Sequence, residues 1–328
     1  MMYAFDGGLG DPATADRLLG KAADAGVTTL ITKAAAVGPD LAGRCHRAGL
    51  RVLGSVACYS DHAEPVQRND LRPIDENGGW APMEWYTGIV PTDPAYNDGL
   101  VRRCADLAGR DWLDGLVLDF LRWPLHWELE LRPGAIARRT SFDPGTLAAF
   151  HSDTGIEVPP DAAGSLLGPL RDQWYAWREQ TITAMAALLT TAVRRARPDA
   201  FVGMFVVPGD ALQRRLVGQD VTALGPYVDA FFAMTYHRIV GQPVGWVADV
   251  VADLRAHTKR PVIPMIQTTA DPALARGADW GARLDAAEFA AALAHVDSPV
   301  CLFPADGMDD QRWLHLTAAT ARGAHDDR

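Results

Sequence analysis

The stretch with the clearest chemical content is Trp112-Leu113-Asp114-Gly115-Leu116-Val117-Leu118-Asp119-Phe120-Leu121-Arg122-Trp123-Pro124. An apolar run ends there in an aspartate, with an arginine and a Trp-Pro turn just behind it. A carboxylate at the end of a buried strand is costly unless it is partnered or used. Asp119 is therefore the leading candidate for a catalytic acid. Cleaving a bond between a sugar and its leaving group needs two carboxyl groups, one to protonate the leaving oxygen and one to attack or to activate water. Candidates for the second are, in order, Glu84, Asp306, Asp6, Glu128 and Asp61. Glu84 leads because Trp80, Trp85 and Tyr86 surround it in sequence, and an apolar setting raises a carboxyl pKa as a general acid requires. The expected catalytic set is Asp119, Glu84 and Asp306.

Other polar groups fall at the ends of apolar runs and are expected to bind substrate. They are Lys33, Tyr236, His237 and Gln267, joined by Arg122 behind Asp119 and by Asp6, Trp85, Trp127 and Glu128 in the connecting segments. Lys33 also admits a Schiff-base reading, an aldolase or isomerase. For His237 a hydrogen-bonded core position competes with substrate binding, and for Arg178 solvent exposure competes with reaching the site. No metal is expected: there is no HExxH, and Asp61-His62 or His126 with Glu128 have unspecific spacing. No cofactor is expected either, since P-loop, kinase and GxSxG patterns are missing.

These residues need a scaffold that brings strand ends together. Eight apolar runs recur along the chain: Met2–Phe5, Thr28–Thr32, Arg51–Ala57, Gly115–Phe120, Phe201–Val207, Ala230–Thr235, Pro261–Ile266 and Val300–Phe303. Nearly continuous apolar runs suit parallel strands covered on both faces. Helices alternate with them. Asp11-Pro12, Asp93-Pro94 and Asp143-Pro144 supply an N-cap followed by proline, and Gly26, Gly109 and Gly155 supply stops. Further helices are predicted over 170–197, 209–217, 244–257, 283–295 and 309–321. Eight strands in alternation with helices predict a single (β/α)8 barrel of the α/β class, with its site at the C-terminal ends of the strands. Gly7-Gly8-Leu9-Gly10 lacks dinucleotide-binding spacing and reads as a flexible first loop. Long loops follow strands three (58–92) and four (121–169), and long loops in compact domains are usually functional.

The Asp114–Pro124 segment resembles the "DGI-x-LD-[FY]-x-R-[YW]-P" strand of uncharacterised glycoside-hydrolase-like barrels. Trp174-Tyr175-Ala176-Trp177-Arg178-Glu179-Gln180 is similar to a helix of that family, and Asp229–His237 to its sixth strand. The resemblance covers about 84–270, implies a glycosidase on a barrel, and implies a catalytic role for Asp119. A more distant likeness to family 18 chitinase-type barrels rests on Asp114, Gly115, Asp119, Met234 and Tyr236. There the middle aspartate is replaced by Val117 and the terminal proton-donating glutamate by Leu121, so chemistry with an acetamido nucleophile is not implied.

Composition narrows the partners. The hydrophobic fraction is 48% and the formal net charge is −10. An acidic chain with short basic clusters argues against nucleic acid. No apolar run has the length of a membrane span, and Met1–Gly8 lacks the features of a signal peptide. Cysteines 45, 58, 104 and 301 form no CxxC pair and read as reduced thiols. The expectation is a cytoplasmic enzyme acting on an oligosaccharide or small glycosylated molecule, with residues 1–322 as the barrel and 323–328 as a disordered tail. A non-catalytic saccharide-binding barrel is the third reading, since a fold persists when its chemistry is lost.

Overall fold

In the computed structural model eight parallel strands close into a ring in sequence order, β1 to β8. The structure describes residues 1–61, 68–81, 87–269, 284–297 and 299–326; for Asp6 and 322–326 it describes the backbone only. The strands are β1 Met2–Tyr3, β2 Thr29–Lys33, β3 Arg51–Ala57, β4 Gly115–Asp119, β5 Phe201–Val206, β6 Ala230–Ala233, β7 Val262–Gln267 and β8 Cys301–Phe303. Each expected run holds a strand, and most strands end within two residues of the prediction. β8 pairs with β1 through Met2 and Leu302, which closes the barrel.

Strand periodicity of two divides the core. Tyr3, Ile31, Leu53, Val117, Phe205, Phe232, Ile263, Met265 and Cys301 point inward and fill the barrel. Their neighbours Leu30, Val52, Leu116, Leu118, Met204, Phe231 and Ile266 point outward against the helices. The same parity, carried one step further along each strand, decides which side chains reach the open end.

The predicted caps form. Asp11, Asp93 and Asp143 each accept a backbone N–H of their helix, with proline following. Gly155 ends Pro144–Thr154 at φ +70°, a left-handed stop that glycine adopts without cost. The long helix Arg171–Ala196 packs across Pro94–Ala108. Among the described helices that the sequence does not announce, Ala162–Leu167 and Val221–Leu224 are short, and the longest is Pro39–Arg47 between β2 and β3. Its N-cap is Gly38, which contributes no side-chain hydrogen bond, so the start signal is weak. The first loop also differs from expectation: Asp6–Leu9 is a helical turn. An added Cβ at Gly8 would meet Asp306 Oδ1, so a larger residue there would displace that carboxylate.

The closed end of the barrel explains two further acids. Asp114 Oδ2 accepts Val52 N–H at 2.6 Å, and Asp229 Oδ2 accepts Val202 N–H at 2.8 Å. Each caps the strand next door. A Cβ on Gly115 would run into the Phe201 carbonyl oxygen. Asp114-Gly115 therefore shapes the floor of the barrel rather than the reacting end. The four cysteines are free and buried, and burial pushes the thiols of Cys45, Cys104 and Cys301 up to about 12. Thiols held that high form little nucleophilic thiolate. Among the described residues no helix is long and apolar enough to cross a membrane.

Candidate active site

A cavity of about 420 Å³ occupies the C-terminal end of the barrel. Tyr3 and Phe5, Lys33, Ser55 and Ala57, Asp119, Phe205, Met234 and Tyr236, Met265 and Phe303 line it. Every one of these continues the inward parity of its strand. Phe120, Arg122 and Glu128 from the loop after β4, with Ser60 from the loop after β3, complete the wall.

Aromatic rings dominate that wall. Tyr236 stacks on Phe303 with centroids 4.2 Å apart, and Phe303 packs on Tyr3 and Phe5 at 5.4 and 5.7 Å. Behind Tyr236 lies Trp127, fully buried, with centroids 5.8 Å apart. The rings give the cavity an apolar aromatic wall, a surface suited to packing against the C–H groups of a pyranose.

Two carboxyl groups enter this apolar setting. Asp119 ends β4, and its Oδ1 accepts the N–H of Phe120 at 2.8 Å. Phe120 takes φ +51°, unusual for a residue with a side chain, and such backbone concentrates at functional sites. Burial pushes Asp119 up to about 6, against the downward pulls of Arg122, the Phe120 amide and the Ser55 hydroxyl. Desolvation wins because the wall offers mostly rings and thioethers to a charge. Glu128 belongs to the turn of helix Trp127–Glu130, and its side chain is 14% exposed. Both Asp119 and Glu128 act on the Tyr236 phenol, whose proton burial holds well above the ordinary tyrosine range. Tyr236 thus lies within electrostatic reach of both acids. His126 approaches Glu128 at 4.0 Å, and burial followed by Arg122 and Arg132 pushes it down to about 4, so the imidazole is neutral.

The structure gathers Asp119, Lys33, Arg122, Glu128 and Tyr236 from the expected site. Others stand apart. Asp306 is exposed, accepts Phe5 N–H at 2.9 Å and fastens the loop after β1 to the loop after β8. His237 is buried with Nε2 2.9 Å from Glu288 Oε1, and Arg238 binds the same carboxylate. Gln267 is fully buried between the Ile239 amide and the Thr269 carbonyl. Trp127 supports Tyr236 from behind instead of lining the cavity. Glu84 and Trp85 lie outside the described residues, as does the side chain of Asp6. Ser55, Met234, Met265 and Phe303 are missed by the sequence reading, although strand parity counted from Asp119 and its neighbours would have found them. Arg178 is buried under the loop after β4 and does not reach this cavity. Among the described residues no cluster of three or more His, Cys, Asp or Glu is placed to hold a metal ion.

No protein-family model and no curated protein matches the chain. Solved structures do. The PgaB (BpsB) glycoside hydrolase domain from Bordetella bronchiseptica superposes with a TM-score of 0.72 at 16% identity, over 98% of this chain and 97% of that one. A β-galactosidase from the haloarchaeon Halorubrum lacusprofundi gives 0.70 at 12% identity, and one from Marinomonas ef1 gives 0.67 at 12%. Both matches take in 99% of this chain and only 58% and 60% of those enzymes. The molecule is a (β/α)8 barrel of the form that these glycoside hydrolases share. At such identities the likeness establishes the fold, and it attaches to glycoside-hydrolase barrels without extending to the family 18 resemblance.

Proposed function

We propose that this protein is a glycoside-hydrolase-like enzyme in which Asp119 and Glu128 are the two working carboxyl groups. The observation that carries the reading is their convergence on one aromatic-lined cavity at the end of the barrel where such enzymes work. Likeness to glycoside-hydrolase barrels supports it by analogy of fold.

Asp119, held near 6, keeps its proton in mildly acidic solution and gives it to the glycosidic oxygen as the bond to the anomeric carbon breaks. Glu128 serves the other face. It either takes a proton from the attacking water or adds to the anomeric carbon to form an ester that water then cleaves, with Asp119 acting as base. These two courses release opposite anomers. Lys33 and Arg122 orient hydroxyls, and the ring wall stacks on the sugar. An oligosaccharide or glycosylated metabolite in the cytoplasm is the proposed substrate setting.

The test is Glu128→Gln beside Asp119→Asn on a panel of oligosaccharides, with reducing ends measured. Wild type is expected to release them and each variant to fall by about 10³-fold or more, since each removes an acid or base that acts in the transition state. Wild-type turnover by Glu128→Gln would remove Glu128 from the mechanism.

A further inference from the structure

The cavity that holds Asp119 and Glu128 has two sides, and the division follows the order of the strands. Lys33 on β2, Ser55 on β3 and Asp119 on β4 make one arc with Ser60, Arg122 and Glu128 from the loops that follow; Ala57 and Phe120 are its apolar members. From β5 round to β1 the lining changes. Phe205 on β5, Met234 just after β6, Met265 on β7 and Phe303 on β8 are apolar. Tyr236, Tyr3 and Phe5 join them, and the Phe303 ring touches all three.

Among the described residues this second arc brings no charged group to the cavity. The Tyr236 phenol donates to the Met265 thioether at 3.4 Å. Gln267, the next inward position on β7, is spent between the Ile239 amide and the Thr269 carbonyl. A sugar carries hydroxyls around its edge, and each one buried without a partner costs free energy. The polar arc can meet the hydroxyls of one ring. A second sugar, across the glycosidic oxygen, would set its hydroxyls against phenyl rings and thioethers. The apolar arc also spans five consecutive strands, roughly 20 Å of wall at the usual strand spacing. One pyranose does not cover that length.

We infer that the substrate is a glycoside of an apolar alcohol or phenol, with its sugar against the polar arc and its aglycone in the apolar one. The inference rests on Asp119 and Glu128 as the working acids. Asp119 protonates the glycosidic oxygen, and the bond from that oxygen to the anomeric carbon breaks. Water supplies the new hydroxyl at that carbon, and the aglycone departs as its alcohol.

Phenylethyl and methyl glycosides of one sugar and anomer release alcohols of similar acidity, so the ratio of their kcat/KM values reads aglycone binding. Across a panel of hexosides the wild type is expected to favour phenylethyl over methyl by about 10–100-fold, the worth of burying one phenyl group. Disaccharides of the same sugar are expected to be no better than the methyl glycoside. Phe303→Ala is expected to lose about tenfold more on the phenylethyl than on the methyl substrate. Equal values for phenylethyl and methyl, or preferred disaccharides, would overturn the inference and leave the two acids in place. Crystals of the full chain soaked in phenylethanol test the apolar arc apart from turnover. A phenyl ring against Phe303 is expected, and supports the inference even if no glycoside is cleaved and the assignment of the acids fails. A cavity without that ring would overturn it.

Discussion

Replacing Asp119 by asparagine should separate its chemical role from its cost to the fold. The carboxyl is displaced from its ordinary 3.8 to about 6, with burial as the main cause. The folded protein therefore holds the proton more tightly than the unfolded chain. Above pH 6 the group is ionised in both states, and the buried charge costs about 3 kcal/mol of stability. As the pH falls from 6 toward 3.8 the folded state takes up its proton first, and the cost shrinks. At pH 4.5 about 1 kcal/mol of it remains by the same linkage. Asparagine never ionises, yet its side-chain oxygen can still accept the Phe120 N–H. Asp119→Asn should then be more stable than wild type at pH 7.5, with a margin that narrows by about 2 kcal/mol at pH 4.5. For a chain of this size that change is about 3 °C in melting temperature. Paired thermal unfolding of both proteins at the two pH values reads it directly. A margin that does not change with pH, or an asparagine variant that is the less stable at pH 7.5, would refute the claim that Asp119 sits desolvated in the cavity.

Three further outcomes follow from the same geometry. Asp306→Ala should cost about 1 kcal/mol in urea unfolding, the worth of one lost cap-like hydrogen bond to Phe5, while Asp306→Asn keeps most of the turnover because this acid lies outside the cavity. Gly115→Ala should destabilise by about 2 kcal/mol or more, on the order of a strong overpacking, or fail to fold, since its Cβ would collide with the backbone of β5; circular dichroism melts check it. Lys33 ends β2 exposed to solvent, unlike the desolvated amines that form Schiff bases. Borohydride treatment with sugar aldehydes or keto acids should leave it unmodified by mass spectrometry.

Much of this architecture can be read from residue order. Runs such as Gly115–Asp119 and Val262–Gln267 are apolar on both faces and end in a polar group, which is what a covered parallel strand looks like. Aspartate followed by proline marks three helix starts because the cap and the fixed φ act locally. The helix Pro39–Arg47 escapes notice because Gly38 caps without a side chain. The site is only half legible for a related reason. Parity says that the side chain at a strand end points inward, and so Asp119, Lys33 and Tyr236 meet. It does not say what loop descends on that end. Gln267 shares the inward parity, yet a loop amide claims it, while His237, next to Tyr236, has the opposite parity and meets Glu288. Glu128 is the converse case. Its place in the cavity depends on how the long loop after β4 folds back over Trp127 and Tyr236, a tertiary arrangement with no local pattern in the sequence. Asp306 looks like a rim acid in sequence, and in the fold its carboxylate accepts the Phe5 N–H across two loops.

Whether Asp119 delivers the proton to the departing oxygen is tested most directly by leaving-group dependence. Activated dinitrophenyl glycosides depart without a proton, whereas unactivated alkyl glycosides do not. Turnover by Asp119→Asn should fall by about 10³-fold on the alkyl substrate and by far less on the dinitrophenyl one. Equal losses on both would contradict a proton-donating Asp119.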